Sequence, residues 1–445
     1  MNNSRILNQI ITLFFIALPI FFSSCKEEMD DPIDVVDPTE PSDTPNILFI
    51  IADDMGVDAT NGYPEGILKP TTPHLDSLMN SGLKFTNLWV NPVCSPTRAS
   101  IITGKYGYTT NVLTAGDPLS VEHEVLQAYI NSQTADKYAT AVIGKWHLAE
   151  GNSFNPETLG IDYFAGLLRG GVGNYYSWDF AEDGTTTTET EYTTKKFTDL
   201  SIDWIDAQTK PWFLWLAYNA PHTPFHVPPS EMHSQGTLPS DAASIDDNPL
   251  PYYLAAIEAM DYQIGRLLDA MDQDELDNTI IIFIGDNGTP GRVAQMPFSR
   301  MKAKGSIYQG GVNVPMFVSG TGVSRLGTEQ AMINGTDLFA TIANIAGTNV
   351  EAINDSKNFT SLLEINNPDF RDYTYSEARD DDNGINKWCI RNTAYKLLEF
   401  VDGSQEFYDM IADPYEENNL LDGGLTADQM ANKSDLETAA ADIRQ

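Results

Sequence analysis

The run Ile47-Leu48-Phe49-Ile50-Ile51-Ala52 leads directly into Asp53-Asp54. Apolar residues without polar alternation, several of them β-branched or aromatic, fit a strand buried on both faces. In an open α/β sheet, ligands bind beyond the carboxyl ends of such strands, which is where these two acids fall. The same arrangement recurs downstream. Residues 139–143 precede Gly144-Lys145-Trp146-His147, residues 212–217 precede Ala220-Pro221-His222-Thr223-Pro224, and residues 279–284 precede Gly285-Asp286-Asn287-Gly288. A further apolar run spans 314–318. Four strand ends thus deliver charged or titratable groups to one edge.

Between the runs lie helical patterns. The clearest, 252–276, puts Leu254, Ile257, Met260, Ile264, Leu267, Leu268 and Met271 on one face. Strand–helix alternation predicts an α/β domain over 46–350, with a large mixed, mostly parallel sheet sandwiched by helices. After residue 346 the pattern changes to short strands at 373–376, 389–391, 395–400 and 406–410, then a polar helical end. This predicts a small α+β C-terminal subdomain over 351–445.

The 445 residues carry 26 Lys and Arg against 63 Asp and Glu, a net charge of −37. That balance excludes a nucleic-acid binder, which needs basic surface to neutralise phosphates. It does not exclude an anionic small substrate, because exposed acids beyond a Debye length of about 8 Å are screened. Residues 1–24 read as a signal peptide: Arg5 is the lone charge, and the apolar stretch 10–22 is too short to span a bilayer. Ser23-Ser24-Cys25 resembles a bacterial lipobox, which implies lipidation of Cys25 and an outer-membrane anchor, periplasmic or at the cell surface. Residues 25–45 hold eight acids, one lysine and four prolines, the composition of an unfolded tether. The three cysteines, Cys25, Cys94 and Cys389, make no disulfide framework.

Asp53, Asp54, Asp286 and Asn287 are hard oxygen donors, suited to Ca²⁺ or Mg²⁺ rather than zinc. Taken alone, Asp53-Asp54 would serve as a helix cap and Asp286-Asn287-Gly288 as a tight turn. In Cys94-Ser95-Pro96-Thr97-Arg98, Pro96 suits the first turn of a helix, so Cys94 stands at a helix N-terminus with Arg98 one turn on.

At this point the chain resembles the type I sulfatases of the alkaline-phosphatase superfamily. The resemblance rests on Cys94, Pro96 and Arg98 with Thr103-Gly104, on Gly144-Lys145-Trp146-His147, Ala220-Pro221-His222-Thr223-Pro224 and Asp286-Asn287-Gly288. Lys304-Gly305-Ser306, Gly310-Gly311-Val312 and the closing Phe407-Tyr408-Asp409-Met410 with Glu416 extend it, in order, over residues 46 to 421. It implies sulfate-ester hydrolysis of a sulfated carbohydrate, with Cys94 converted to formylglycine (3-oxoalanine) by a dedicated maturase. It further implies one Ca²⁺ held by Asp53, Asp54, Asp286 and Asn287 together with modified Cys94. Arg98 would stabilise the nucleophile and Lys145 and Lys304 would bind sulfate. His147 would serve the diol, and His222 would bind substrate and protonate the leaving alcohol. His226 is a further candidate for substrate contact, and Lys302 competes with Lys304. Two departures stand out: Gly285 where Ser is common, and Asn313 where Arg is common. The competing readings are a phosphonate or phosphodiester hydrolase on the same scaffold and, were Cys94 unconverted, a non-catalytic carbohydrate-binding lipoprotein.

Overall fold

The computed structural model describes residues 44–151, 154–367, 369–379 and 386–445. The expected signal peptide, Cys25 and the tether up to residue 43 lie outside the described residues. Eleven strands form the main sheet: β1 (Asn46–Ala52), β2 (Leu83–Trp89), β3 (Ala139–Lys145), β4 (Tyr163–Leu167), β5 (Trp178–Glu182), β6 (Thr185–Glu189), β7 (Trp212–Tyr218), β8 (Thr279–Gly285), β9 (Asn313–Gly320), β10 (Gly327–Glu329) and β11 (Ile333–Asn334). Their order is β10-β2-β9-β8-β1-β7-β3-β4-β5-β6, with β11 also paired to β2.

The five central strands β8, β1, β7, β3 and β4 are parallel. β9 runs antiparallel to both β8 and β2, and β5 and β6 extend the other side as an antiparallel hairpin. The mixed, mostly parallel α/β sheet read from the sequence is therefore the architecture found. Register decides the site. Ala52 lies opposite both Tyr218 and Gly285, and Gly144 opposite Ala217, so the carboxyl ends of β1, β7, β8 and β3 finish level with one another.

Alternate residues of β1 enter different cores. Ile47, Phe49 and Ile51 pack on the face covered by helices Cys94–Thr103 and Asp337–Ile345, whereas Leu48, Ile50 and Ala52 pack on the face covered by helix Leu250–Ala270. Both faces are dry, which is why the strand shows no polar alternation. Each of the Ile, Leu and Phe side chains contributes about 1.5–3 kcal/mol on burial. The helix expected over 252–276 is two helices. Its first part ends at Ala270, and Asp272 then accepts from Glu275 N to cap a new turn, Gln273–Asp277.

A short hairpin, β12 (Ala352–Ile353) and β13 (Ser356–Lys357), precedes the C-terminal antiparallel sheet. That sheet has the order β14 (Thr374–Arg379), β15 (Asn386–Arg391), β16 (Tyr395–Glu399) and β17 (Gln405–Asp409). Helix Ala427–Ile443, opened by a capping box between Thr426 and Gln429, buries Leu436 and Ala440 against Trp388, Ile390, Leu397 and Phe407. The other face of this sheet packs Cys389, Leu398, Tyr408 and Met410 on Trp89 of β2 and on Ile307 and Val312. The described residues form one compact unit. Among the described residues no helix is long and apolar enough to cross a membrane.

Candidate active site

Helix Cys94–Thr103 is buried along its whole length, so its motif residues are packed as well as chemical. Cys94 opens the helix, 3.1 Å from Nδ1 of His147 across Sγ. The Ser95 hydroxyl donates to His147 O at 2.8 Å and accepts from Gly116 N at 2.9 Å, fixing the backbone that carries the imidazole. Sequence reasoning missed Ser95, because a hydroxyl beside a motif cysteine carries no signal of its own. Arg98, one turn on, donates through Nε and Nη2 to Asp286 Oδ2 at 3.1 and 2.8 Å and through Nη1 to Lys145 O at 2.5 Å. Lys145 in turn donates to Asp53 Oδ2 at 2.6 Å.

The acids interlock. Asp54 has a left-handed backbone (φ 74°), which turns the chain sharply after β1, and its N–H donates to Asp286 Oδ1 at 3.1 Å. Asn287 Nδ2 donates to Asp54 Oδ1 at 2.8 Å and to Gly288 O at 3.0 Å. Tyr253, from helix Leu250–Ala270, donates to Asp54 O at 2.8 Å. Ligand atoms of Asp53, Cys94 and Asp286 lie within 4.8 Å of one another. The Oδ1 atoms of Asp53 and Asn287 are buried and receive no hydrogen bond from the described residues. Buried acceptor oxygens without donors, in a cluster of carboxylates and an amide, suit a hard cation such as Ca²⁺. Asp53, Asp54, Asp286 and Asn287 therefore fit the metal that the resemblance implies.

On the solvent side, Lys304 Nζ lies 2.5 Å from Asp54 Oδ1, and His222 Nε2 lies 3.8 Å from Asp54 Oδ2. His222 Nδ1 is held by Thr223 O at 2.7 Å, so Nε2 is the nitrogen that faces the site. Lys302 points elsewhere: its ammonium lies 4.5 Å from the Tyr308 ring centroid and donates to Glu416 O. The Lys304 loop is braced by Gly305 N to Pro92 O and by Lys387 Nζ to Gly305 O, both at 2.9 Å. Farther along, Glu416 accepts from Gln309 N at 2.7 Å and from buried Lys396 at 2.5 Å. All ten expected site residues thus gather at one end of the parallel strands. His226 is differently engaged: it stacks on Tyr175 at 3.7 Å and lies 3.1 Å from the Tyr192 hydroxyl.

Burial raises the Asp286 carboxyl, and the Asp53 charge adds to this against the pull of Arg98. For Asp53, burial also works upward, but Lys145, His222, Arg98 and Lys304 outweigh it and hold the carboxyl below its ordinary range. Burial, then the Lys145 and Arg98 charges, push His147 far down, so its imidazole is neutral. Burial likewise pushes the Cys94 thiol up. Burial works against the Lys304 ammonium, but Asp54, Cys94 and Asp53 more than compensate and keep it charged.

Both sequence departures have local consequences. A Cβ at Gly285 would meet Met55 O at 2.1 Å, so this chain requires glycine there. Asn313, the first residue of β9, donates to Thr86 O at 3.2 Å and is none of the expected ligand residues.

Fold and site belong with enzymes that hydrolyse esters of oxyanions. More narrowly, residues 45–348 match the sulfatase family model, and the chain belongs to the sulfatase family. Residues 300–440 also match the model described as N-sulphoglucosamine sulphohydrolase, C-terminal. The ulvan-active sulfatase of Formosa agariphila is 29% identical over 436 residues, 91% of this chain and 82% of that protein. The N-acetylglucosamine-6-O-sulfatase of Bacteroides thetaiotaomicron is 26% identical over 86% of this chain and 83% of its own. Among solved structures, Ps i-CgsB in complex with k-i-k-neocarrahexaose has a TM-score of 0.76 at 24% identity, covering 90% of this chain and 94% of that one. The enzyme is a sulfuric ester hydrolase.

Proposed function

We propose that this sulfatase removes sulfate from an extracellular sulfated carbohydrate, with formylglycine at position 94 and one Ca²⁺ in the Asp53, Asp54, Asp286 and Asn287 cluster. The observation that carries this reading is the convergence of Cys94, Lys145, His147, His222 and Lys304 on one set of buried carboxylates. The names of relatives support the substrate class: one acts on ulvan and another on N-acetylglucosamine 6-O-sulfate. Ca²⁺, when bound, supplies Lewis-acid polarisation of a sulfate oxygen. Formylglycine at position 94 would supply a hydrated aldehyde as the nucleophile, with a second hydroxyl able to release the sulfate.

The chain's own residues do the rest. Lys304 and Lys145 balance the sulfate charge, and Arg98 fixes Asp286 while stabilising position 94. Neutral His147, 3.1 Å from Cys94 Sγ, takes the proton released there. His222, when protonated, gives its Nε2 proton to the departing sugar oxygen. Burial pushes an unconverted thiol at position 94 up, away from the thiolate that ordinary cysteine nucleophiles use. The maturase is a partner in this scheme. The signal and lipobox reading adds export and a lipid anchor in the outer membrane.

Tryptic mass spectrometry of protein from the native host should find residue 94 as the aldehyde or its hydrate; an intact thiol would remove the nucleophile. Ca²⁺ at 100 times its dissociation constant should stabilise the fold by about 2.7 kcal/mol relative to chelated protein. Rates on a panel of sulfated mono- and oligosaccharides should exceed those on matched phosphate and phosphonate esters. The reverse ranking would move the enzyme to phosphoryl chemistry.

A further inference from the structure

The chain between β4 and β5 passes over both catalytic imidazoles. A Cβ at Gly170 would meet His147 Nε2 at 2.1 Å, and one at Gly171 would meet His222 Cε1 at 3.3 Å. Five and four residues later comes Tyr175, which is 1% exposed. Its hydroxyl lies 2.6 Å from His222 O and 2.8 Å from Asn219 O, so one donor is shared between two carbonyls of the loop that carries His222. Its ring stacks on His226 of the same loop, with an interplanar angle of 22°. His226 is pinned in turn, with Nδ1 on Pro224 O and Nε2 facing the Tyr192 hydroxyl, each at 3.1 Å. The next residue, Tyr176, donates to Val227 O at 2.9 Å. Carbonyls at 219, 222 and 227 are therefore held by tyrosine hydroxyls from the β4–β5 connection, and that at 224 by the imidazole of His226.

We propose that Tyr175 is the positioning residue for His222. Among the described residues the His222 side chain hydrogen-bonds only to its neighbour Thr223 O, and Nε2 comes no nearer than 3.8 Å to Asp54 Oδ2, so the place of Nε2 follows chiefly from the loop backbone. Tyr175 grips that backbone at His222 itself. This rests on the reading of His222 as the acid that protonates the leaving alcohol. Among the described residues the Tyr175 hydroxyl bonds to the carbonyls of Asn219 and His222 and to no reacting group. It acts through the position of Nε2, and a general acid displaced by a fraction of an ångström loses most where the leaving group needs its proton most.

The test is Tyr175→Phe, which deletes one hydroxyl and keeps the ring stack, assayed on 4-nitrophenyl sulfate and on phenyl sulfate, an ester with a poorer leaving group. Loss of kcat should be about 10- to 100-fold on phenyl sulfate, near twofold on 4-nitrophenyl sulfate, with KM unchanged. In a His222→Ala background the same substitution should cost nothing further. Gly171→Ala, which presses a methyl on the His222 ring, should show the same dependence on leaving group. A uniform loss on both esters, or an undiminished loss in the His222→Ala background, would overturn the role of Tyr175. If His222→Ala itself proved equally damaging on both esters, the acid reading would fall and take the positioning role with it; a leaving-group-dependent His222→Ala beside a uniform Tyr175→Phe would sink the positioning role alone.

Discussion

The inner half of the site and its outer half are built by different means. Arg98–Asp286 and Lys145–Asp53 are ion pairs at most 1% exposed, carried by a packed helix and a central strand. Lys304 and His222 are 21% and 20% exposed, sit on loops, and both lean on one carboxylate, Asp54. The inner pairs have their geometry imposed by the core, so they can serve any sulfate ester. The outer pair meets what differs between substrates and owes its placement to distant braces: Lys387, Lys396 and Glu416 for the Lys304 loop, Tyr175 and His226 for the His222 loop. A site that must hold a nucleophile rigidly and also admit bulky sugars gains from that division.

The contrast makes its strongest prediction at the inner pairs. In protein stripped of Ca²⁺, Lys145→Met or Arg98→Met strands a wholly buried carboxylate, and removing one partner of a buried pair costs about 3–5 kcal/mol. Both variants should therefore lose stability in urea titrations as well as activity. A second substitution that neutralises the stranded acid, Asp53→Asn with Lys145→Met or Asp286→Asn with Arg98→Met, should recover much of the stability and none of the activity. Unchanged urea midpoints in the single variants would erase the distinction between the halves.

At the outer half the expected damage is catalytic with little effect on folding. His222→Ala should slow unactivated sugar sulfates by about 10²–10⁴-fold while sparing activated aryl sulfates. Lys304→Ala should lower kcat/KM by about 10²-fold on both kinds of ester, since sulfate charge is common to them. Melting temperatures of both variants should stay within a few degrees of the parent. A melting temperature that collapsed for Lys304→Ala would mean that its pair with Asp54 is structural, like those inside.

This division also explains what could be read from the chain alone. The inner chemistry was legible because each strand and its terminal group are contiguous: Ala52 with Asp53, Ile284 with Asp286, Ile143 with Lys145. Buried parallel strands leave an unbroken apolar run, and the residue after it is at the sheet edge by construction. The order of the strands was hidden, because pairing such as β2 with β9 joins residues far apart in sequence with no local mark. Helix 252–276 was overextended since its apolar spacing continues past Met271; only the capping geometry of Asp272 shows the break. Tyr175 has a neighbourhood, Asn174-Tyr175-Tyr176-Ser177, with no period and no motif. His226 reads as a candidate substrate contact for its nearness to His222, and the fold adds a second engagement that the sequence does not mark, its stack on Tyr175. Braces act through space, and their residue types are dictated by shapes that only the fold supplies.

The smallest effect concerns that brace and carries a sign. Burial pushes His226 down to about 4, only partly offset by its bond to Pro224 O. The neutral ring suits its place: Nδ1–H donates to Pro224 O, and Nε2 accepts the Tyr192 hydroxyl, a bond that a second proton would break. In the unfolded chain the same imidazole titrates near 6.5. As pH falls below that value, the unfolded state binds a proton that the folded loop refuses, so stability is present above about 6.5 and is lost progressively on acidification toward 4. The whole window is worth about 3 kcal/mol at most. His226→Gln removes the titrating group, so its unfolding free energy should fall less steeply than the parent's between pH 6.5 and 4.5 in denaturant titrations. Parallel curves for the two proteins would mean that His226 takes up its proton without disturbing the loop, and the outer half would then owe its order to Tyr175 and its neighbours without help from the imidazole.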